Sequence, residues 1–295
     1  GSHGMDGKGV FQMNGIEVRN ITKTFGQVKA LDNVTLTLAQ EKIYGLLGRN
    51  GAGKSTLLNI LTNRIFPDLG EVLVDGLPAR ENDAAQQKMY MMSEKSYYPD
   101  SMRVADAFKC TEALYGGFSR EYAAELCDAF GLNPRKKVKE LSTGYGSIFK
   151  LVTALSVPVP YVLLDEPVLG LDANHRELLY KVVLETYTQN PRTIVLSTHL
   201  IEEISGLIEE VIIIKKGQII RHQPTEDLLA MGYTVSGPAA QVDAYVQGRE
   251  SLGEDALGGL KTAYILGRPD GGELPETLQI SKMDLQKLFI RLTNE

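Results

Sequence analysis

Residues 48–56 read GRNGAGKST, and they combine the residue types a phosphate needs at the spacing it needs them. Glycines at 48, 51 and 53 let the backbone curl until the amides of Asn50, Gly51, Ala52 and Gly53 face one triphosphate. Lys54 reaches the β- and γ-phosphates, Ser55 offers a hydroxyl to Mg²⁺, and Thr56 adds a donor at the start of a helix. A lone glycine-rich turn would imply only a tight bend. Here the apolar run KIYGLLG (42–48) precedes it and Leu57, Leu58, Ile60 and Leu61 follow at helical spacing, which is the strand–helix setting a nucleotide loop requires.

A second constellation lies in YVLLDEP (161–167). Asp165 ends an apolar strand, where a carboxylate is costly unless it serves a cation, and holding Mg²⁺ is the role that fits. Glu166 follows at once. Strand alternation points it away from Asp165, exposed and placed to orient and deprotonate a water attacking the γ-phosphate. His199 ends the next apolar strand, TIVLSTH (193–199), where it either is a satisfied structural histidine or donates a hydrogen bond to the γ-phosphate. LSTGYGS (141–147) is a further anion-holding stretch. Ser142 supplies a hydroxyl, Gly144 a freed backbone, and the following helix start its amides and dipole. It contains neither a lysine to grip a phosphate nor a carboxylate to hold a metal, which leaves open which phosphate it would bind.

Apolar strands alternating with helices place these residues on a parallel sheet covered on both faces. The strands are 15–22, 34–38, 42–48, 70–76, 161–167 and 193–198, with a hairpin at 211–220. Helical spacing runs from about Val104 to Arg135, over Tyr145–Leu155 and over about 174–188. From about residue 226 the pattern changes to strand (232–236), helix (238–247), strand (260–266) and a last helix, a small C-terminal α+β domain. Ser281 and Asp284 read as a capping box for that helix, whose apolar face is Leu285, Leu288, Phe289 and Leu292.

The 295 residues carry a formal net charge of −6, which disfavours a nucleic-acid partner. Cys110 and Cys127 read as buried small hydrophobes in a reducing compartment. No apolar run reaches the roughly 18 residues that span a bilayer, and residues 1–13 read as a tag scar and leader.

Together the motifs resemble the ATP-binding cassette (ABC) family over about residues 14–225. GRNGAGKST resembles its Walker A motif, VLLDEP its Walker B, LSTGY its signature, LGLD (169–172) its D-loop and STH (197–199) its switch histidine. TKTFGQVKALDNVTL is similar to its opening, with Phe25 at the aromatic position that stacks on adenine. The resemblance implies a P-loop NTPase fold with a RecA-like parallel core, an antiparallel β subdomain and a helical subdomain at about 95–157. It implies ATP and Mg²⁺ as cofactors and hydrolysis to ADP and phosphate. It further implies a head-to-tail dimer with a second copy or a related subunit. In that dimer Ser142 and Gly144 read the γ-phosphate of the ATP held by the partner, and Asp172 links the two sites. The membrane path then belongs to a separate permease, with this chain cytoplasmic and peripheral at the inner face of the membrane.

Within the family, DEPVLGLD, STHLIEEIS and the C-terminal appendage are most similar to bacterial exporter ATPases of the peptide-antibiotic efflux type. Thr143 and Tyr145 depart from the signature, and YMMSE (90–94) puts Glu94 where the family carries a glutamine beside Mg²⁺, so Glu94 is a candidate metal neighbour. The alternatives are a soluble ABC ATPase of repair or ribosome type, and an ATP-gated module with weak hydrolysis.

Overall fold

A computed structural model describes residues 14–294; the tag reading of residues 1–13 falls outside the described residues. Along the chain, β1 (Ile16–Phe25) and β2 (Val28–Leu38) form a hairpin. β3 (Ile43–Leu47) leads through the glycine-rich loop into α1 (Lys54–Leu61), and β4 (Leu69–Val74), β5 (Leu77–Pro78), α2 (Asp83–Gln86) and β6 (Met89–Met92) follow. Three helices, α3 (Val104–Leu114), α4 (Arg120–Phe130) and α5 (Thr143–Ser156), return to β7 (Tyr161–Asp165). Then come α6 (Ala173–Gln189), β8 (Thr193–Thr198), α7 (Ile201–Ile204), β9 (Glu210–Lys215), β10 (Gln218–Pro224) and α8 (Thr225–Leu229). The remainder is β11 (Gly232–Pro238), α9 (Ala239–Val246), β12 (Ser251–Leu257), β13 (Leu260–Leu266), β14 (Gln279–Lys282) and α10 (Leu285–Asn294).

The central sheet has the order β10-β9-β3-β8-β7-β6, parallel except for the β9–β10 hairpin. Every residue of β3, β7 and β8 is buried, as continuous apolar strands predict for a sheet covered on both faces. Alternate residues feed two cores. Ile43, Val162, Leu164, Ile194 and Leu196 face the helices, whereas Tyr44, Leu46, Tyr161, Leu163 and Val195 face α1 and the antiparallel sheet β2-β1-β4-β5. The mixed architecture with parallel and antiparallel sheets is the one that the resemblance implies.

The third sheet, β12-β13-β11-β14, is antiparallel and encloses a small core of Tyr233, Val235, Val242, Ala263, Ile265 and Leu278. Strands β12 and β14 had no signal in the sequence: β14 is exposed throughout and β12 is nowhere buried, so neither carries an apolar alternation. The last helix does bury Leu285, Leu288, Phe289 and Leu292, and it buries them in the helix-side core of the central sheet. Its start differs from the expected capping box. Ser281 is paired with Thr234 inside the sheet, and Asp284 is the residue that caps, accepting from the Lys287 amide at 2.9 Å. Cys127 is buried, with its thiol pushed up to about 11 by desolvation, but Cys110 is exposed on α3, contrary to its reading as a core residue.

Candidate active site

Because β8 lies between β3 and β7, the ends of these three strands deliver the glycine-rich loop, His199 and the Asp165–Glu166 pair side by side. Gly51 (φ 82°) and Gly53 (φ 112°) take the left-handed backbone that the turn needs, and α1 begins at Lys54. Lys54 is only 6% exposed. Its Nζ donates to Gly48 O at 2.6 Å and lies 3.7 Å from Glu166 Oε1. Burial pulls its pKa down, opposed by the charges of Glu166 and Asp165. Ser55 Oγ donates to Asp165 Oδ2 at 2.8 Å, and burial holds the Asp165 carboxyl above its ordinary value.

Glu166 departs from the strand-alternation expectation. It sits one residue beyond β7 with φ 48°, and its amide donates to Ser197 O at 2.8 Å. The left-handed turn ends the alternation, so Asp165 and Glu166 line the same clefts instead of opposite faces. A left-handed glutamate is strained, and strain of this kind collects at functional sites. Glu166 Oε2 lies 2.9 Å from His199 Nδ1. Lys54, Glu166 and His199 therefore form one line of contacts across the three strand ends.

Two clefts, of 520 and 420 Å³, share Ser55, Glu94, Asp165 and Glu166. The smaller adds Asn50, Gly51, Gly53, Lys54 and Thr56 from the loop, and Val28, Lys29 and Ala30 from β2. The donor set fits a divalent cation. Asp165 Oδ1 is buried without a hydrogen-bond partner, beside the Ser55 hydroxyl that its other oxygen holds. Among the described residues no group of three or more His, Cys, Asp or Glu side chains is placed to hold a metal alone. A cation here would thus take Ser55, Asp165 and phosphate oxygens, the sparse protein ligation typical of Mg²⁺.

The remaining sequence candidates stand apart from these clefts. Ser142 is the N-cap of α5, its Oγ accepting from the Tyr145 amide at 3.1 Å, which leaves its own proton to donate. Gly144 is helical, and its role is close approach rather than backbone freedom: a Cβ there would lie 2.7 Å from Gly170 O. Asp172 caps α6 through the His175 amide at 2.8 Å. Phe25 ends β1, 47% exposed, with Lys23 Nζ 5.2 Å from its ring centroid. Sequence reading misses Lys216, which lines the smaller cleft from the β9–β10 hairpin, and Lys150, whose Nζ donates to Ser93 O at 3.0 Å. Neither belongs to a motif.

A family model described as "ABC transporter" matches residues 31–169. The chain is 30% identical to the ABC transporter ATP-binding protein YtrB of Bacillus subtilis, over 66% of this chain and 67% of the relative. It is 35% identical to an uncharacterised ABC transporter ATP-binding protein, MJ1023, of Methanocaldococcus jannaschii, over 72% and 79%. Other similar proteins are named for ribose, osmoprotectant and arabinose import. Among solved structures, the dimeric post-hydrolysis state of the ATP-binding cassette MJ0796 bound to ADP and Pi has the same fold, with a TM-score of 0.64 and 24% identity over 71% of this chain and 98% of that one. With the loop, the carboxylate pair and the histidine gathered on one sheet edge, the chain belongs to the ABC family, as an ATPase of the kind that serves ABC transporters.

Proposed function

We propose that this protein is the ATP-hydrolysing subunit of an exporter, working as a dimer against a separate membrane protein at the cytoplasmic face. The convergence of Lys54, Asp165, Glu166 and His199 at the ends of β3, β7 and β8 carries the catalytic part of this reading. Among the described residues no helix is long and apolar enough to cross a membrane, which suits a subunit whose permease is another chain. Export rests on the resemblance of DEPVLGLD and STHLIEEIS to exporter ATPases. The relatives include import proteins, and a transport assay with the permease partner in inverted vesicles tests the direction.

In the mechanism, loop amides and Lys54 take the phosphates, a phosphate oxygen replacing the Gly48 carbonyl as the lysine's acceptor. Ser55 and Asp165 would hold Mg²⁺, which would supply positive charge to offset that of the phosphates. Glu166 accepts the proton of the attacking water, and the His199 contact at 2.9 Å fixes which way its carboxylate faces. Lys54 stabilises the charge that develops on the transferred group. Ser142 Oγ and the amides of α5 would read the γ-phosphate held by the second chain, and Asp172 would relay its state. Phe25 and the Val28–Ala30 edge would bracket the base.

The deciding experiment is ATPase rate against protein concentration, with Glu166→Gln as the blank. Specific activity should climb with concentration, as two chains build each site, and the variant should lose ~10²-fold or more, the scale of a lost general base. Unchanged turnover in the variant would overturn the role of Glu166. A rate per chain that is flat at every concentration, with sizing that gives a monomer with and without ATP, would overturn the dimer.

A further inference from the structure

Helix α5 is capped by Ser142, and eight residues beyond that cap it carries Lys150. At 1.5 Å per residue that is about 12 Å along the axis. A helix lysine ordinarily stretches its ammonium into water. Lys150 instead turns inward, and its Nζ donates to two successive main-chain oxygens, Ser93 O at 3.0 Å and Glu94 O at 2.7 Å. Burial depresses its pKa, the mark of an ammonium drawn out of solvent. Beside it, Phe149 makes an edge contact at 5.6 Å with Tyr98 of the same loop. On the far side, Arg64 stacks over Tyr97 at 4.2 Å, and Ser93 Oγ meets Tyr97 Oη at 3.1 Å. The segment from residue 93 to 98 is thus strung between α5 and the turn after α1. Glu94, near its start, lines both clefts together with Ser55, Asp165 and Glu166.

We propose that Lys150 is a positioning residue that pins the main chain at Glu94, setting that carboxylate against the Asp165 cation site and tying its setting to the position of α5. The inference rests on the nucleotide and Mg²⁺ reading above. Its physical content is that α5 is one rigid body with two contacts. A phosphate drawing on Ser142 at one end shifts the ammonium at the other, and the carbonyls it holds move with it. A glutamate at this position places a full negative charge near a metal and its phosphates, where a small displacement changes the electrostatic energy far more than it would for a neutral side chain. That sensitivity explains why the loop carrying it is held by a charged donor rather than by a solvated turn.

The test uses the full chain and two readouts that need no turnover. The first is the Mg²⁺ concentration that half-saturates binding of a fluorescent ATP analogue. The second is hydrogen exchange at the amides of residues 93–98. Lys150→Met keeps the stem packing and removes the donors, whereas Lys150→Arg keeps both charge and donors. Lys150→Met should raise the Mg²⁺ requirement on the order of 10-fold, the usual cost of losing a residue that orients a metal's neighbours. It should also speed exchange at 93–98, and Lys150→Arg should recover much of both. In a Glu94→Ala background Lys150→Met should add nothing to the Mg²⁺ requirement, since the side chain it acts through is gone. A lowered melting temperature with an unchanged Mg²⁺ requirement would reduce Lys150 to a strut and overturn the proposal. So would a Mg²⁺ effect that persists without Glu94. Wild-type binding indifferent to Mg²⁺ would overturn the metal reading of Asp165 instead, and exchange at 93–98 would then decide the pin on its own.

Discussion

At the edge of the central sheet, Lys54 and Asp165 are buried at 6% and 7% exposure, Glu166 holds a left-handed backbone, and Asp165 Oδ1 and Ser197 Oγ are buried without partners. In the C-terminal sheet the charges are arranged quite differently. Lys261 reaches Asp243 at 2.6 Å and Glu254 at 3.1 Å, and Arg249 reaches Asp270 at 2.6 Å, all with partners that stay in contact with water. Pairs of this exposed kind add little to stability and cost little to make. The groups at the central sheet's edge carry desolvation and strain that contacts within this chain only partly offset. A local conflict of that sort, set into an otherwise consistent fold, is what a binding or catalytic site looks like before its ligand is considered.

Three substitutions break or sharpen this contrast, beyond the Glu166 and Lys150 tests. Lys54→Ala has the largest expected effect, a loss on the order of 10²- to 10³-fold in kcat, the scale of removing one donor aimed at transition-state charge. ATPase assays at saturating ATP measure it, and a kcat within a few-fold of wild type would dissolve the claim that this edge is the reacting one. Leu288→Ala tests whether the two regions are as separate as their charge patterns suggest. Leu288 is fully buried in the core of the central sheet although it belongs to α10. Its truncation should cost about 2–5 kcal/mol in urea unfolding of the whole chain. A transition that splits in two, with the ATPase part unmoved, would show α10 to be a passenger.

Asp165→Asn has the smallest effect on stability and the most informative sign. The Asp165 carboxyl is raised above its ordinary 3.8, so its ionised form is disfavoured by folding. That cost is fully present above the folded-state pKa and disappears as pH falls below 3.8. The variant should therefore melt higher than wild type at pH 7, the gap narrowing toward pH 4, while its Mg²⁺-dependent nucleotide binding is lost. Thermal melts at the two pH values check it, and a variant less stable at pH 7 would mean that Asp165 is not carrying a desolvation cost.

The parts of the site that were legible in the sequence are those where backbone chemistry forces residue identity. Gly51 and Gly53 must take left-handed angles, Lys54 and Ser55 must follow them, and Asp165 must end an apolar strand. The three middle strands were legible because a sheet covered on both faces leaves no polar position to blur the run. Glu166 was identified with its direction misread, since alternation stops where the strand does and a single left-handed residue leaves no trace in composition. Gly144 is helical and needs no freed backbone, and the second demand on it is invisible locally, because the Gly170 carbonyl that it accommodates lies 26 residues further along. Lys150 and Lys216 left no signal, because a lysine's reach is decided by tertiary neighbours and not by its spacing. The C-terminal sheet was half legible for a related reason. Its inner strands β11 and β13 carry buried residues, while β12 and β14 carry none.

The insertion of β8 between β3 and β7 also has a consequence in time. A ribosome finishes Leu47 and the glycine-rich loop long before it adds Asp165, and Thr198, whose strand must separate the two, comes later still. At roughly 5–20 residues per second, the nascent loop waits on the order of ten seconds for the carboxylates and histidine that complete it. During that interval β3 is an apolar strand without its central neighbour, a natural client for a chaperone. The complete nucleotide site therefore cannot form until synthesis has passed residue 198.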